Sequence, residues 1–176
     1  MADPIEPTIE TKMEIGSLCM AWAYLENLSE RALWGMLKLD DTHGPLVTWR
    51  LDMRARWQML LEHVAEKCPN EASFLRKTNK LVATATRDRN IMVHGVVHSV
   101  AKTDDKNPAA FWTVFRGADA GKKFPVSATA AKTTRKNIQF LCRGMEAFNE
   151  RNKYPANYYK GLISSPLEKN WPSKFE

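Results

Sequence analysis

No stretch of this chain approaches the roughly 18 consecutive apolar residues that a membrane-spanning helix needs, so no transmembrane segment is expected. The opening MADPIEPTIE is acidic, contains Pro4 and Pro7 and has no apolar core, so no secretory signal is expected in it. Cysteine is scarce. Cys19, Cys68 and Cys142 are far apart, odd in number and form no C-x-x-C pair. That argues against a disulfide framework or structural zinc site and suits reduced thiols in a cytoplasm. A Gly-rich phosphate loop, a nucleophile elbow, an H-E-x-x-H string and an internal repeat are all missing, which disfavours phosphate-loop NTPases, dinucleotide enzymes and zinc proteases. Acidic residues are also in deficit, 20 against 26 basic ones. The resulting net charge of +6 favours polyanionic partners without naming one.

What is present fits one globular domain: 176 residues, 44% hydrophobic and 26% charged. The basic excess is concentrated late. Between 122 and 151, Lys122, Lys123, Lys132, Arg135, Lys136, Arg143 and Arg151 face only Glu146 and Glu150. The plainest reading of most of these charges is a solvated helix face.

Periodicity predicts four main helices. The first runs from a capping box at Thr11-Lys12-Met13-Glu14 to about Leu39, with Leu18, Trp22, Leu25, Leu28, Ala32 and Met36 on one face. Met20, Leu33 and Trp34 widen that stripe, so the helix needs cover on two sides, from its own core and from a second protomer. Residues 40 to 48, with Gly44-Pro45, read as a loop. Asp40, Asp41 and His43 there lack the partner set of a metal site. A second helix is expected from Thr48 to Glu66, burying Leu51, Trp57, Leu60, Leu61 and Val64, with His63 on the surface or packed. A third begins at Pro69-Asn70 and ends at Gly95, read as a left-handed cap. VVHSVAK and AAFWTVF then read as a two-stranded excursion, GADAGKKFP as a loop, and Ser127 as the N-cap of a fourth helix bearing Ile138, Leu141, Cys142, Met145 and Phe148. The expected fold is all-α: a four-helix bundle over 1–150 with a small β-hairpin between helices 3 and 4. Residues 151–176 form an irregular tail whose Tyr154, Tyr158, Tyr159, Trp171 and Phe175 anchor it to the body.

Residues 87 to 95, RDRNIMVHG, concentrate polar chemistry at the end of the third helix. One reading is electrostatic only, because unpaired carbonyls in a last turn favour Arg and protonated His. It leaves Asn90, a mediocre helix former, unexplained. The other reading is chemical. RNA supplies its own nucleophile, the 2′-hydroxyl, so cleavage needs a proton carrier and a cation to stabilise the charged transition state. His94 suits the proton work, Arg87 or Arg89 the phosphate oxygens, and Asn90 the orientation of imidazole or phosphate. On a helix, Arg87, Asn90 and His94 share a face, with Arg89 about 160° from Arg87.

The string Arg89-Asn90-Ile91-Met92-Val93-His94-Gly95 resembles the signature of HEPN domains, an all-α superfamily associated with nucleotides and RNA, whose active members are metal-independent endoribonucleases. The order of parts from about 10 to 150 is similar too: an early AWAYLENLSERAL helix, the motif ending a helix, a short Trp-bearing strand excursion and a closing helix after FPVS. The resemblance implies catalytic roles for Arg89, Asn90 and His94 in a cleft between the two subunits of a homodimer, with Arg87 and Arg89 as phosphate ligands. It implies RNA as substrate, and neither metal nor cofactor. Four residues separate Arg89 from His94 and six separate Arg87, so the choice of arginine stays open. The other function the resemblance allows is an inactive HEPN module that binds RNA, nucleotide or a protein partner.

Overall fold

The computed structural model describes residues 7–67, 69–99, 110–113, 120–125 and 127–154. It is the expected all-α bundle carrying a small antiparallel sheet. The long helices are α1 (Ile9–Leu37), α3 (Met53–Lys67), α4 (Pro69–His94) and α5 (Ala128–Arg151), and α2 (His43–Thr48) is a single short one.

Local side chains set the helix ends. Thr8, not Thr11, caps α1: its Oγ1 accepts from Thr11 N at 3.2 Å, and the Thr11 hydroxyl turns back onto Thr8. Within the stretch expected to be a loop, the Asp40 carboxylate accepts from the backbone N–H of Thr42 and His43 and so nucleates α2. Thr48 Oγ1 closes that helix by donating to Gly44 O at 3.1 Å. Asp52 Oδ1 then accepts from Ala55 N at 2.8 Å. The following helix therefore begins at Met53 rather than Thr48, and Leu51 lies ahead of it. Ser127 caps α5 as expected, accepting from Ala130 N at 3.0 Å.

The long contacts fix helix directions. Glu14 pairs with Arg135, Ala21 O accepts from Cys142 Sγ, and Leu28 O accepts from Asn149 Nδ2. Partners advance together in steps of seven, so α1 and α5 run parallel. Phe74 lies against Gly144 and Asp88 against Thr134, partners that move in opposite senses, so α4 is antiparallel to α5. Trp57 joins α3 to α4 by donating Nε1–H to Leu75 O at 3.1 Å. Leu18, Leu25, Leu28, Leu60, Leu75, Val82, Ile138, Leu141, Met145 and Phe148 fill the space between.

The wide apolar arc of α1 finds much of its cover within the chain. Leu33 and Trp34 are buried, Trp34 against Gly44 of α2 with its Nε1 donating to Thr48 Oγ1 at 3.1 Å. Ile9, Met13 and Met20 stay exposed.

The sheet is β1 (Val96–Ser99), β2 (Ala110–Thr113) and β3 (Lys123–Pro125) in that order, both pairs antiparallel. The expected hairpin is present, and Lys123–Pro125, assigned from sequence to a loop, adds a third strand through Phe111↔Pro125 and Thr113↔Lys123. Gly95 is not a left-handed cap. Among the described residues only Lys38, Gly121 and Lys153 have positive φ. Glycine stands at 95 because a Cβ there would lie 2.3 Å from the Ile91 carbonyl oxygen. Tyr154 packs on Phe148 at 6.0 Å and against Gly35, while the tail aromatics Tyr158, Tyr159, Trp171 and Phe175 lie outside the described residues.

Candidate active site

The inward face of α4 reads Leu75, Thr78, Val82 and Ala85, all buried, at steps of three and four. The next position in that register is Arg89. A charged residue thus occupies a core position of the helix, half-buried, and the face resumes with Met92 packed on the core. Burying a cation is costly unless something receives it. Here the guanidinium carbon stands 5.8 Å from the ring centroid of Trp22 on α1, itself 4% exposed.

The head group gathers the motif. Arg89 Nη1 donates to Asn90 Oδ1 at 3.0 Å and to His94 Nε2 at 3.0 Å. A guanidinium has no acceptor, so His94 Nε2 carries the lone pair in this contact and the proton sits on Nδ1. Asn90 and His94 are exposed. The three residues named by the Arg-Asn-x-x-x-His string therefore form one hydrogen-bonded cluster at the surface end of a half-buried arginine.

Arg87 is elsewhere. It is exposed, and its guanidinium lies 5.2 Å over the ring of Phe124 on β3. Helix geometry alone grouped Arg87 with Asn90 and His94, but the length of the Arg89 side chain outweighs its position on the helix wheel. Asp88 accepts from Thr134 of α5 at 3.5 Å.

Arg89 also differs from the other packed arginines in what holds it. Arg135 forks onto Glu14 through Nε at 2.8 Å and Nη2 at 3.3 Å, Arg56 reaches Glu30 at 2.9 Å, and Arg31 pairs with Asp41. Among the described residues Arg89 has no carboxylate. An aromatic face and two neutral acceptors hold it, so its charge remains unneutralised. Its Nε–H is buried without a partner.

Among the described residues no other titratable group is hydrogen-bonded into this cluster. Asp40 and His43 pair with each other at 2.8 Å. The backbone N–H of His43 is the main cause holding the Asp40 carboxyl below its ordinary range, followed by the imidazole. Arg135 holds Glu14 low in the same way. Burial pushes the Cys142 thiol up. A cavity of about 280 Å³ lined by Leu33, Met36, Leu37, Met59, Glu62, His63 and Glu66 lies near the C-terminal end of α1, 14 residues or roughly 20 Å along the helix from Trp22. His63 is half-buried in its wall. No group of three or more His, Cys, Asp or Glu among the described residues could hold a metal ion, and no described helix is long and apolar enough to cross a membrane.

Trp22 and Phe124 were not legible as site residues. Trp22 reads as one more core aromatic, and Phe124 lies in what reads as a loop. No family model, curated protein or solved structure matches the chain.

Proposed function

We propose that this chain is a HEPN-type, metal-independent endoribonuclease that cleaves RNA by attack of the substrate's own 2′-hydroxyl. The observation that carries the reading is the Arg89 guanidinium, paired with no carboxylate among the described residues and joined through one nitrogen to Asn90 and His94. A scissile phosphate recruits the guanidinium by charge-assisted hydrogen bonds and frees His94 Nε2. The 2′-oxygen then bonds to phosphorus as its proton passes to Nε2. The P–O5′ bond breaks and O5′ takes a proton from an imidazolium, leaving a 2′,3′-cyclic phosphate and a 5′-hydroxyl. Arg89 stabilises the negative charge on the non-bridging oxygens, and Asn90, whose Oδ1 accepts from Arg89 Nη1, steadies the guanidinium. Arg87, seated on Phe124, is a peripheral phosphate ligand.

One histidine serves poorly as both base and acid in a single displacement. A two-fold homodimer with the end of α4 at its axis supplies the second His94. The experiment is incubation of wild type, His94→Ala and Arg89→Ala with mixed cellular RNA in EDTA. Cleavage that needs both residues and survives EDTA supports the proposal, and cleavage abolished by EDTA overturns it. RNA bound intact by wild type would instead favour a binding module.

A further inference from the structure

We infer that Trp22 is a positioning residue: its ring is the seat that aims the Arg89 guanidinium at Asn90 and His94 while leaving the cation's charge free for a phosphate. The inference rests on the functional reading above for its consequence, but its geometry stands apart from it. Arg89 reaches the motif from a core position of α4, where a flexible side chain has many rotamers to choose from. Two neutral acceptors at 3.0 Å engage only Nη1, and the buried Nε–H has no partner, so hydrogen bonds alone leave most of the side chain unanchored. The indole is fixed, 4% exposed on α1, and its ring centroid is 5.8 Å from the guanidinium carbon.

A carboxylate at this place would hold the arginine equally well, as Glu14 holds Arg135 and Glu30 holds Arg56. It would also cancel the charge an incoming phosphate needs. An aromatic face attracts the cation through its quadrupole without neutralising it. The Arg87 guanidinium lies 5.2 Å over the ring of Phe124, so both motif arginines touch rings drawn from different elements. Of the two, only the Trp22 seat delivers its guanidinium to His94.

The test is ¹⁵N relaxation of the Arg89 Nε–H group, assigned by its loss in Arg89→Lys, in wild type, Trp22→Phe and Trp22→Leu. A seated arginine gives an order parameter near the rigid value of about 0.85, and an unseated one falls below about 0.6. The expected result is rigid for wild type, intermediate for Trp22→Phe and mobile for Trp22→Leu, with folding of each confirmed by its thermal transition. A folded Trp22→Leu with wild-type order at Arg89 overturns the inference. Should Trp22→Leu not fold, unchanged order in Trp22→Phe overturns it instead. On RNA, Trp22→Leu lowers kcat/KM about tenfold, and Trp22→Phe recovers most of it. If wild type does not cleave RNA, the nuclease reading fails, while the relaxation series still decides the role of Trp22.

Discussion

Replacing Gly95 by alanine should destabilise the fold, for a reason that separates two accounts of this glycine. A Cβ at 95 would stand 2.3 Å from the Ile91 carbonyl oxygen and 3.4 Å from Trp112 Cβ. The carbonyl cannot simply swing aside, because it accepts the Gly95 N–H at 2.8 Å and belongs to the last turn of α4. Trp112 is 7% exposed and equally confined. Overpacking of this kind costs about 1–3 kcal/mol. In a domain of this size it should lower Tm by about 2–12 °C. Gly95→Asn is the discriminating partner. A left-handed cap would accept Asn at little cost, whereas a close approach penalises any Cβ, so Asn should be as harmful as Ala. Gly16→Ala is the control. It sits exposed two turns inside α1 with nothing within 4 Å of its would-be Cβ, and Ala there should gain about 1 kcal/mol from helix propensity. Thermal unfolding of the three variants under one buffer reads all the signs. A Gly95→Ala protein as stable as wild type, or a Gly95→Asn protein clearly better than Gly95→Ala, would refute the reasoning.

Thr48→Val should lower the unfolding free energy by about 1–3 kcal/mol, read as a lower urea midpoint at unchanged m-value, because it strands the buried Trp34 indole N–H that Thr48 now receives at 3.1 Å. An unmoved midpoint would show that the bond contributes nothing. The Glu14 carboxyl is held low by the Arg135 hydrogen bond, so its folded pKa lies below its unfolded one, near 4.5. Its stabilisation is full above that unfolded value and disappears as pH falls through the folded one. The stability gap between wild type and Glu14→Gln should therefore close as the solution is acidified from about pH 6 to pH 3, and a gap independent of pH would contradict the assignment. Burial raises the Cys142 thiol. Peptide mapping after iodoacetamide at about pH 8 should find this residue unmodified in the native protein and modified in urea, and native labelling would contradict its enclosure.

The long helices were legible because their apolar residues repeat at the helical period over many turns. Leu18, Leu25 and Leu28 on α1, and Ile138, Leu141 and Met145 on α5, are buried as that period requires. Short elements escaped. The six residues of α2 contain Gly44-Pro45, and they are helical because Asp40 caps them and Trp34 covers Gly44 from another helix. The β3 strand is three residues long and ends in Pro125, so only its pairing with β2 defines it. The site was half visible. The string named Arg89, Asn90 and His94, yet wheel geometry favoured Arg87 as their neighbour. Extending the inward register Leu75, Thr78, Val82, Ala85 by four residues reaches Arg89, and that charge in a core position was the overlooked signal. Trp22 had no such mark, since its contact with α4 exists only once the helices pack.

Under the proposed function, substrate RNA provides the nucleophile to an Arg89–His94 site. The most direct measurement uses two oligonucleotides of one sequence, identical except for a single 2′-deoxy sugar at the cleaved position, incubated in EDTA with end groups identified by mass spectrometry. The all-ribose strand should yield a 2′,3′-cyclic phosphate and a 5′-hydroxyl, the deoxy-substituted strand should stay whole at that position, and His94→Ala should slow cleavage by roughly 10²- to 10⁴-fold. A product with a 5′-phosphate, cutting at the deoxy sugar, or a fully active His94→Ala protein would contradict it.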